Sequence, residues 1–119
     1  MSAQTYHAKL DRVLDRMGGV YEWRDIEAAM KAGRMNSIAH NNSMLVFEVN
    51  NFPRARTMDW VLACGDLADC RVLHDRALIY AEDNHLDVIR AWGRRGWMAD
   101  AEKRGWRMKT VNQIYVRTL

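Results

Sequence analysis

Residues 91–97 read AWGRRGW, two tryptophans bracketing a Gly-Arg-Arg-Gly core. Three kinds of chemistry suit that pattern. Arg94 and Arg95 can clamp a phosphate or carboxylate through paired N–H donors. With Arg104, Arg107 and an exposed tryptophan such as Trp97 as a stacking platform, they can also grip a nucleic acid. Alternatively the segment is a joint between a strand and a helix, with Gly93 and Gly96 allowing close approach and both tryptophans buried. The charge distribution keeps the first two open. From Leu86 onward there are eight Lys/Arg against three Asp/Glu, a balance of +5 within a chain of net charge +3. Such a basic third suits an acidic partner protein, a phosphorylated ligand or nucleic acid. No helix-turn-helix or RNA-binding signature accompanies it.

Other reactive side chains are sparse. Glu48 and Asp59 stand on expected strands and are the candidates for a general base. Cys64 falls at a strand end and Cys70 in the following helix; two buried thiols are expected rather than a disulfide. His7, His40, His74 and His85 show no metal-ligand spacing with each other or with the cysteines.

The elements that carry these residues follow from periodicity. Residues 3–17 set Tyr6, Leu10, Val13, Leu14 and Met17 on one helical face, and Gly18-Gly19 ends it. A second helix is expected over 22–32, with Trp23, Ile26, Ala29 and Met30 inward and Gly33 as its stop. A short strand near 35–40 precedes two longer ones. In the first, Leu45, Phe47 and Val49 alternate with Met44, Val46 and Glu48. In the second, Met58, Trp60, Leu62 and Cys64 alternate with Thr57, Asp59, Val61 and Ala63. Short turns make these an antiparallel meander.

The period then changes. Residues 66–85 read as a long amphipathic helix capped by Asp66, with Leu67, Cys70, Leu73, Ala77, Leu78 and Ala81 inward. A strand over 86–92, a short helix to Gly105 and a final strand from Trp106 complete the order. Strand 57–64, the long helix and strand 86–92 form a βαβ crossover of right-handed sense. The expectation is one α/β (α+β) domain over 1–119, with a mixed, mostly antiparallel sheet flanked by helices. With 119 residues, one proline and five tryptophans, the chain supports a single core without a linker. No apolar run approaches the roughly 20 residues of a membrane span, and the N-terminal stretch lacks the apolar core of a signal peptide, so a cytoplasmic location is expected.

The order, together with Gly93, Arg94, Gly96 and Trp97, then Gly105 and Trp106, then Arg117 and Leu119, resembles the GNAT acetyltransferase superfamily, in particular a small phage-encoded branch. The residue resemblance covers roughly 60–119. It implies a GNAT-like fold and, in active members, acetyl-CoA held where two parallel strands splay. The pyrophosphate there rests on a glycine-rich loop at the long helix's N-terminus, here the position of Gly65, Asp66 and Leu67. This sequence departs from the pattern. It has one glycine there and no flanking Arg or Gln, and it places Asp66 and Asp69 where phosphate charge would sit. Ala101 stands where active relatives often carry an acid tyrosine. The resemblance therefore implies a phage-type protein without catalysis and without a cofactor. It would work in the virion or its assembly, with phage structural or assembly proteins as partners and self-association compatible, in host cytoplasm or virion. An acetyl-CoA-dependent N-acetyltransferase acting on a protein or small amine, and a nucleic-acid accessory protein, are the alternatives.

Overall fold

The computed structural model describes residues 12–15, 18–91, 103 and 105. Within them the chain is α+β. Its elements are α1 (Trp23–Lys31), β1 (Asn36–His40), β2 (Ser43–Asn51), β3 (Arg56–Cys64), α2 (Leu67–Asp83) and β4 (Val88–Arg90). The four strands form one mixed sheet in the order β1-β2-β3-β4. The first two pairings are antiparallel and β3–β4 is parallel, so β3-α2-β4 is the expected crossover.

Local chemistry accounts for the element boundaries. The Asp25 carboxylate accepts a hydrogen bond from the Glu22 N–H at 2.8 Å and holds the first turn of α1. Gly33, at φ +77°, ends that helix. A two-residue turn, Asn41-Asn42, joins β1 to β2, and Asn41 takes positive φ there, a conformation asparagine tolerates. Residues 12–15 are helical and Leu14 is buried.

The sheet has a hydrophobic layer on each face. On one, Ile26 and Ala29 of α1 pack with Leu14, Met35, Val46, Leu62 and Cys64, with Trp23 and Met30 partly covered. On the other, Leu73, Ala77 and Ala81 of α2 cover Leu45, Phe47 and Met58. In β2 the expected alternation holds: Leu45, Phe47 and Val49 face α2, while Met44 and Val46 face α1.

In β3 the alternation breaks. Val46 pairs with Leu62 and Phe47 with Trp60, which leaves Val61 as an extra residue. A bulge of this kind puts two residues opposite one and shifts the phase. Met58 and Trp60 therefore face α2, whereas Leu62 and Cys64 face α1. The single stripe Met58-Trp60-Leu62-Cys64 expected from period two does not form. Two leucines of the expected inward stripe of α2 are also exposed, Leu67 in the first turn and Leu78 at the stripe's margin. His74 is buried in their stead, edge-on to Trp60 with ring centroids 6.2 Å apart. β4 is shorter than the expected strand 86–92, though Leu86 and Ile89 still pack beneath α2. Most of the first helix, the short helix before Gly105 and the last strand lie outside the described residues. So do Arg94, Arg95, Trp97, Ala101, Arg104 and Trp106.

Candidate functional site

Two polar clusters stand out, one at each end of β3. The first surrounds the N-terminus of α2, where free backbone N–H groups and the helix dipole favour an anion. Asp66 adopts extended backbone and its carboxylate accepts from the Asp69 N–H at 2.9 Å. The Asp69 carboxylate is turned toward the β1–β2 turn. It accepts from the Asn41 amide at 3.0 Å and the Ser43 hydroxyl at 3.3 Å, and His40 Nε2 lies 3.7 Å away. Gly65 has φ +142°, and a Cβ there would collide with the Ser43 side chain. The glycine thus makes room for the hairpin. Leu67 points into solvent.

A CoA pyrophosphate placed at this helix end would compete with groups already there. It would need the N–H that Asp66 already engages and would lie beside two carboxylates. Each close pair of like charges in a partly dry site costs on the order of a kcal/mol.

The second cluster lies at the other end of β3, on the α1 face. Asp59 is 3% exposed. Arg90, its register partner on β4, holds it with two 2.7 Å contacts, Nε to Oδ1 and Nη2 to Oδ2. The Asn50 amide donates to Oδ2 at 2.6 Å and the Thr57 hydroxyl at 3.1 Å. The Phe52 ring lies 5.0 Å from the Arg90 guanidinium. Burial pushes the Asp59 carboxyl upward. Hydrogen bonds from Arg90 and Asn50, the Arg90 charge and the Thr57 hydroxyl outweigh it, so its pKa falls below the ordinary aspartate value. The same hydrogen bond raises the Arg90 pKa. A carboxylate gripped by three side chains and held ionised is a poor proton acceptor at neutral pH. Glu48 pairs with Asp59 across β2–β3 and is half-buried.

The structure therefore brings Glu48 and Asp59 together and separates them from Gly65, Asp66 and Leu67 by most of the length of β3. Arg90, Asn50 and Thr57, and likewise Asn41 and Ser43, went unflagged by sequence reasoning. The Thr57-x-Asp59 spacing was a usable signal, since period two puts both on one face. Arg90 is 31 residues from Asp59 and left no such trace.

Cys64 and Cys70 are both buried and neither is in a disulfide, as expected. Burial, then the charge of Cys64 and of Asp66 and Asp69, pushes the Cys70 thiol up to about 11. Both thiols should resist a disulfide-exchange reagent at about pH 8 while folded and react fully in denaturant. Native-state modification of Cys70 at the rate of an exposed thiol would contradict this environment.

Among the described residues, no cluster of His, Cys, Asp or Glu is placed to hold a metal ion, and no helix is long and apolar enough to cross a membrane. No protein-family model, curated protein or solved structure matches the chain.

Proposed function

We propose that this chain is a GNAT-like, phage-type domain that does not transfer acetyl groups and serves as a protein-binding module in a virion or its assembly. One observation supports the loss of catalysis: the N-terminus of α2 is engaged from within. Asp66 caps it, Asp69 ties it to Asn41 and Ser43, and Gly65 admits the hairpin. The anion-attracting end of the helix is spent on holding β1–β2 in place. Asp59 supports the same reading, because Arg90, Asn50 and Thr57 commit it to joining strands. The virion role rests on the resemblance alone, since a fold does not dictate a function.

Thermal denaturation with acetyl-CoA up to millimolar concentration tests the reading. A ligand present at 100 times its Kd adds about 2.7 kcal/mol to stability, which moves the melting temperature of a domain this size by several degrees. The expected result is no shift. A concentration-dependent rise overturns the proposal and restores the transferase, with Glu48 as its base.

A further inference from the structure

We draw no further inference here: the strongest candidate, the exposed aromatic and cationic patch beside the β2–β3 turn formed by Phe52, Arg54, Arg56 and Arg90, carries nothing, because Asn51, Asn84 and Asp59 already engage two of its arginines and nothing in the structure shows what covers it.

Discussion

Gly65→Ala should destabilise the domain by about 3 kcal/mol or more, the sum of a strained backbone and a clash with no relief. The backbone at Gly65 has φ +142°, a region side-chain-bearing residues rarely enter. The added methyl would run into the Cβ and hydroxyl of Ser43, and the Ser43 Cα lies 3.1 Å away. Ser43 is itself buried at the start of β2, so it cannot swing aside. Urea denaturation gives the value directly. The double variant Ser43→Gly/Gly65→Ala should recover the part due to the clash and keep the part due to φ, giving a positive coupling between the sites. A loss below about 1 kcal/mol for Gly65→Ala would mean that the hairpin and the helix start do not pack as described.

Asp59→Ala is expected to cost about 3 kcal/mol. It removes the acceptor for three side chains and strands the Asn50 amide and Thr57 hydroxyl in a part-buried setting. The Arg90 side chain is 44% exposed and regains water, which keeps the loss near the lower end of the range for broken buried pairs. The clamp also predicts a pH dependence. Asp59 has a lower pKa folded than unfolded. Its contribution is therefore complete above the unfolded value, near 3.9, and is lost as pH falls from there through the depressed native value. Stability of the wild-type chain should drop in that acid window, and Asp59→Asn, which cannot ionise, should lack this component. Parallel pH profiles for the two proteins would refute the clamp.

Much of the fold was legible from the sequence. The α1 face, the β2 alternation and the crossover needed only periodicity, and the Asp66 cap needed only its position before an apolar stripe. What periodicity could not reveal was the phase slip at Val61, because a bulge is set by the partner strand and the two layers, and no glycine or proline between Thr57 and Cys64 marks it. His74 misled for a related reason. A histidine reads as polar until Trp60, fourteen positions away, supplies an aromatic neighbour. At the site, the acids were visible and their partners were not. Asp66 and Asp69 were read as hostile to phosphate from their charge and from the Asp66 cap, but the donors that claim Asp69 come from the β1–β2 turn, 28 residues earlier for Asn41. The Arg90–Asp59 clamp joins strands that the chain reaches only by way of α2.

The extra residue at Val61 divides β3 between two masters. Its first half furnishes Met58 and Trp60 to the α2 layer, and its second half furnishes Leu62 and Cys64 to the α1 layer. Volume changes at Met58 or Trp60 press on one hydrophobic compartment and those at Leu62 or Cys64 on the other, so these large residues drift in sequence with different helices, while the small Ala63 is the second half's one contact with the α2 layer.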